Sequence, residues 1–117
     1  MDKNTNALKV EGKEYPMAFN LNVMEVIQEE YDTVDKWGDL VEGKGKNKEP
    51  NIKALVFGLT AMINEGLDIE ADEKGKDFKP LSHKQVARLL TKVGLDEATK
   101  QLTNVVTEST KNDEKNA

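Results

Sequence analysis

The chain contains no cysteine. That removes disulfides, thiolate nucleophiles and thiolate metal sites together, and it agrees with a reducing compartment. Aromatic residues make up only 5% and the hydrophobic set 37%, against 33% charged residues, so the core must be thin and the surface heavily solvated. No apolar run approaches the length of a membrane span. The polar start Met1 to Asn6 has no apolar signal-peptide core behind it, so the chain is expected to stay in the cytoplasm without a membrane partner. A concentrated basic face is also missing: the formal net charge is -5 and the pI near 5.0. This argues against nucleic acid as a partner, because backbone binding needs clustered cations to displace counterions from phosphates.

At 117 residues the chain fits one domain with one core. Its first third carries the clearest pattern. Leu8 and Val10 alternate on one side of Glu11-Gly12-Lys13, and Tyr15, Met17 and Phe19 alternate on the other, the period of two expected of a hairpin. Gly12 supplies the positive dihedral of a tight turn, and Pro16, lacking a donor, suits an unpaired edge position. Two strands are marginal in water, so the hairpin must lie on helices.

Asn22 with Glu25 forms a capping-box-like start for a helix whose stripe is Val23, Ile27 and Tyr31, extended by Val26. Thr33 caps a short helix through Val34, Trp37, Leu40 and Val41 that Gly43 ends. Gly43 to Pro50 reads as a flexible basic connector. Beyond it, Ile52, Leu55, Val56, Leu59, Met62 and Ile63 keep helical spacing, with Gly66 expected as a left-handed cap. The opposite side of that helix, Ala54, Phe57, Gly58 and Ala61, is small or apolar, so the helix is buried centrally or covered by a partner. Leu67 to Leu81 reads as a long acidic loop. Ser82 caps a helix using Val86, Leu89, Leu90 and Val93 up to Gly94, and Asp96 opens a last helix using Ala98, Leu102, Val105 and Val106. The expectation is a mainly α fold, a short N-terminal β-hairpin followed by a compact bundle of about five helices. Residues 1–7 would be flexible, 8–106 one domain, and 107–117 a disordered polar tail.

Candidate chemical sites fail on spacing. Asp68, Glu70 and Asp72 alternate as calcium ligands do, yet the sixth position of such a loop is Glu73 instead of glycine and the twelfth is Lys79 instead of glutamate. Gly43-Lys44-Gly45-Lys46 lacks the phosphate-loop spacing and is followed by Asn47 where Ser or Thr is required. His83, the only histidine, stands beside a helix cap with no nucleophile motif around it. Glu29 and Glu30 are helix neighbours whose side chains diverge by about 100 degrees, unlike a catalytic pair. In the last two helices Ala87 and Gly94 are too far apart for helix-turn-helix recognition. The sequence therefore predicts no catalytic residue, metal site or cofactor. In so aromatic-poor a chain, Tyr31, Trp37 and Phe57 are the candidate partner-binding residues.

The order of elements carries a resemblance. Gly12-Lys13-Glu14-Tyr15 in a hairpin, Phe19-Asn20-Leu21-Asn22 opening a helix, the Leu55 to Gly66 helix, and Leu81-Ser82 with Val86, Leu89 and Leu90 resemble the tail assembly chaperones of long-tailed phages (siphophages) and of prophages in Gram-positive hosts. The likeness covers Leu8 to Val106 and lies in order and spacing. It implies a non-enzymatic protein of the infected or lysogenic host's cytoplasm, absent from the mature virion. Such a chaperone binds the tape measure protein, keeps it soluble and helps recruit the tail tube protein. It would also imply a longer form of the same chain made by ribosomal frameshifting, with which the polar tail is compatible, and it leaves self-association open. The other readings are a structural tail or head-tail connector protein and, from a third class, a small DNA-binding regulator.

Overall fold

The computed structural model describes residues 7–44 and 48–116, with side chains up to residue 109. The fold is mostly helical behind an N-terminal hairpin of β1 (Ala7–Val10) and β2 (Lys13–Pro16). The strands pair antiparallel, Leu8 opposite Tyr15 and Lys9 opposite Glu14. Glu11 (φ 48°) and Gly12 (φ 85°) make the two-residue turn, so Lys13 belongs to the strand. Ala7 pairs with Pro16 and is thus part of the sheet, one residue earlier than the expected boundary of the flexible N-terminus. Residues 1–6 of that segment lie outside the described residues, as do 45–47 of the basic connector.

Five helices follow: α1 (Leu21–Tyr31), α2 (Val34–Glu42), α3 (Ile52–Lys74), α4 (His83–Val93) and α5 (Leu95–Asn116). The starts of α1 to α4 are set by short polar side chains that accept from first-turn N–H groups, which would otherwise lack a partner, whereas α5 begins at Leu95 directly after Gly94 and one residue before the expected Asp96. Thr33 accepts from the Lys36 N–H at 3.0 Å, and Asn51 from Ala54 at 2.9 Å. At Ser82 the box is complete: its hydroxyl accepts from the Gln85 N–H while the Gln85 side chain accepts from the Ser82 N–H. The cap of α1 is Asn20, which accepts from the Val23 N–H at 3.2 Å, and not Asn22. Asn22 is used differently, its amide donating to Glu65 alongside that of Asn20 at 3.0 and 2.7 Å.

The largest departure from expectation is the length of α3. Gly66 does not end it; the helix continues to Lys74 and closes at Gly75 in the left-handed conformation. Gly66 is buried in the helix interior because the hairpin lies on it: a Cβ there would stand 2.6 Å from the carbonyl carbon and oxygen of Pro16. The expected loop from Leu67 shrinks to the segment between Gly75 and Ser82, and Asp68, Glu70 and Asp72 sit on a helix. A second small residue, Gly58, admits Trp37 in the same manner, since a Cβ would lie 2.8 Å from the indole Cε2 and 2.9 Å from Nε1. At the C-terminus, α5 runs on through Thr107 to Asn116 where a disordered tail was expected. No glycine or proline follows Gly94 to stop it.

α3 is the axis of the bundle. It packs against α1, α2, α4 and β2, and the hairpin is further seated on α4 and α5. The core joins Leu8, Val10, Met17 and Phe19 from the hairpin segment to Val23, Ile27, Trp37, Leu55, Leu59, Met62, Val86, Leu102 and Val105 from the helices. The Ala18 N–H donates to the Met62 carbonyl at 3.0 Å, and the Lys9 N–H to the Gln101 side chain at 3.0 Å. These bonds fix the hairpin on the bundle in a defined register.

Candidate partner-binding surface

The three aromatic candidates separate. Trp37 is 2% exposed, its indole N–H donates to the Ala54 carbonyl at 3.0 Å, and its ring stacks on Phe19 with centroids 6.2 Å apart. It is a core residue and not a partner anchor, because the Ala54 and Gly58 notch of α3 takes its ring. Tyr31 and Phe57 are half-buried and meet edge to face, centroids 5.4 Å apart at 77°. Burial, and secondarily the Glu30 carboxylate, pushes the Tyr31 hydroxyl above its ordinary pKa. These two rings close one end of the seam between α1 and α3.

α1 and α3 run antiparallel along that seam. The N-terminal end of α1 meets Glu65 through Asn20 and Asn22, and its C-terminal end meets Phe57 through Tyr31. Along α3, Phe57, Ala61, Asn64, Glu65 and Asp68 fall on one face at helical spacing. Between Ala61, Asn64, Glu65 and Asp68 of that face and Asn22, Val23 and Val26 of α1 lies an open groove of about 230 Å³ that Phe78 also lines. The sequence placed Val26 in the buried stripe, but it is 43% exposed. Phe78 belongs to no helical or strand stripe in the sequence. It sits between two points where the chain is tied to α3: the Lys76 N–H donates to the Ala71 carbonyl at 2.8 Å, and Leu81 exchanges two hydrogen bonds with the Asn64 amide at 2.8 and 2.9 Å. Phe78 is the lone aromatic residue of the polar stretch 68–80, and that was the available signal.

A second apolar depression, about 250 Å³, lies on the other side of α3 between Leu55, Val56, Ala87, Leu90 and Gly94. Its rim carries Ile52 and Leu95, 61% and 40% exposed. Ile52 keeps the helical spacing of the apolar run but, as the first residue of α3, stands exposed at its end.

No polar or charged residue is buried among the described residues, and no group of three or more His, Cys, Asp or Glu is placed to hold a metal ion there. Helical spacing turns Glu70 away from Asp68 and Asp72, and it meets Lys74 at 4.0 Å. His83 is exposed in the first turn of α4. Lys44, in the former phosphate-loop candidate, pairs with Glu42 at 3.0 Å. α4 and α5 are joined through Gly94 alone, whose N–H donates to Leu90 and whose carbonyl accepts from Ala98. No described helix is long and apolar enough to cross a membrane. What the surface offers is contact: two apolar depressions on an acidic domain. Comparison with protein-family models, with curated proteins and with solved structures gives no match.

Proposed function

We propose that the protein is a phage tail assembly chaperone. It binds the tape measure protein, keeps it soluble and helps recruit the tail tube protein, working in the host cytoplasm without entering the finished virion. The observation that carries the reading is the order of elements, a short hairpin running directly into an Asn-capped helix, a short tryptophan-bearing helix, a long central helix and a closing helix pair. The open apolar depressions support it physically. A long, aggregation-prone partner needs its apolar segments covered, and exposed Val26, Phe78, Ile52 and Leu95 offer cover. The net charge of -5 would keep the resulting complex dispersed. The longer frameshifted form of the chain and the tail tube protein are the further partners this reading adds.

Co-expression tests it. With the chain present, the tape measure protein should move from the insoluble to the soluble fraction and co-purify, while purified tails should lack the chain. If co-expression leaves solubility unchanged and the chain is stoichiometric in tails, it is a structural tail component.

A further inference from the structure

We infer that the groove between α1 and the second half of α3 is a docking site for an amphipathic helix bearing Lys or Arg beside its apolar residues. That the tape measure protein supplies such helices rests on the function proposed above. The groove has an apolar lining, through Val23, Val26, Ala61 and Phe78. Both of its rims are acidic. Helical spacing puts Glu29 and Glu30 on the Val26 face of α1, and Asp72 one turn beyond Asp68 on α3. Glu65 is held by the Asn20 and Asn22 amides, but Glu29, Glu30, Asp68 and Asp72 form no ion pair among the described residues.

No Lys or Arg lines the groove among the described residues. α1 has no basic residue, and Lys76 and Lys79, which flank Phe78 in sequence, line a separate depression with Leu67 and Glu70. An apolar partner without charge would leave the acidic rims unpaired, and an acidic one would be repelled by both. A basic amphipathic helix satisfies centre and rims together. No strand edge borders the groove, whose walls are two antiparallel helices, so an added helix and not an added strand fits it. The site is also pre-shaped: the ties of Lys76 to Ala71 and of Leu81 to Asn64 hold the Phe78 segment on α3 before any partner arrives.

Two labelled peptides of about 18 residues, long enough to form helix, test the inference by fluorescence anisotropy. One carries leucines at i, i+3, i+4 and i+7 with lysines beside them; the other replaces every lysine with glutamate. The lysine peptide should bind at least about 10-fold more tightly, equivalent to ~1.4 kcal/mol. Phe78→Ala and Asp68→Lys should each weaken it about 10-fold, Ile52→Ala should not, and all three variants should unfold at the parent's midpoint. Amide shifts on binding should centre on Val26, Ala61 and Phe78. Equal affinity for both peptides, shifts centred on Ile52 and Leu95, or displacement of the peptide by a second copy of the chain sealing the groove would overturn the assignment. Co-expression separates it from the function. Tape measure protein solubilised equally by parent and Phe78→Ala sinks the groove but spares the chaperone reading; lysine-peptide binding with no effect on tape measure solubility does the reverse.

Discussion

Replacing Gly66 with alanine tests the packing that most changes the fold from its sequence expectation. In an unobstructed helix interior this substitution stabilises by about 1 kcal/mol, because alanine loses less backbone entropy. Here the added methyl would stand 2.6 Å from two atoms of the Pro16 carbonyl and 2.9 Å from the Met17 nitrogen. These are backbone atoms that no rotamer change can move aside. The hairpin must lift, at an overpacking cost of about 1–3 kcal/mol. Lifting also stretches the Ala18 to Met62 hydrogen bond, worth ~1 kcal/mol. The net expectation is a loss of about 2 kcal/mol, a fall of roughly 8 °C in Tm for a domain of this size. Urea and thermal unfolding followed by circular dichroism measure the loss, and hydrogen exchange at the Ala18 amide shows whether the hairpin has lifted. Gly38→Ala is the control: that glycine lies inside α2 with nothing within 4 Å of its notional Cβ, so the variant should gain up to ~1 kcal/mol. A Gly66→Ala variant as stable as the parent, with Ala18 still protected, would refute the close approach.

Two further outcomes follow from the core and the seam. Leu59→Ala, at a fully buried position on the central helix, should cost about 2–5 kcal/mol in chemical unfolding, and a change under ~1 kcal/mol would mean that this face is not packed. The Tyr31 hydroxyl, raised by burial and by Glu30, should titrate above the ordinary value near 10 when its ring resonances are followed by NMR. Because the folded state favours the neutral form, its contribution to stability is complete below that ordinary value and is lost as pH rises through the folded one. Phe57→Ala, which admits water to the ring, should bring the titration back toward 10, and an unchanged titration would show that Phe57 does not shield it.

Helix starts were legible because caps are local chemistry. Thr33 and Ser82 each announce a helix within four residues, and both do cap one. Asn22 misled for an equally local reason: Asn20 and Asn22 offer the same side chain two residues apart, both amides donate to Glu65, and it is the Asn20 carbonyl oxygen that accepts from the first-turn N–H of Val23. The same holds for the glycines. Gly43 and Gly66 both follow an apolar helical run, and only the first ends its helix, in the left-handed conformation. At Gly66 the missing side chain makes room for the hairpin backbone, which no local pattern announces.

The groove was partly hidden because periodicity reports which residues share a helix face but not whether a neighbour covers it. Val26 lies close to Val23 and Ile27 in the helical projection of α1, and the apolar stripe therefore took it in. Yet the residues that α1 buries are Val23 and Ile27, and Val26 is left at the margin. Trp37 erred in the opposite direction: scarcity marked it as an anchor, while the small residues Ala54 and Gly58, four apart on α3, had already made space for its ring. Large aromatic residues and small-residue notches should be read as pairs across the chain. By that rule Trp37 goes to the core, and Phe78, with no such notch to enter, stays at the surface where its segment is tied down beside an acidic groove.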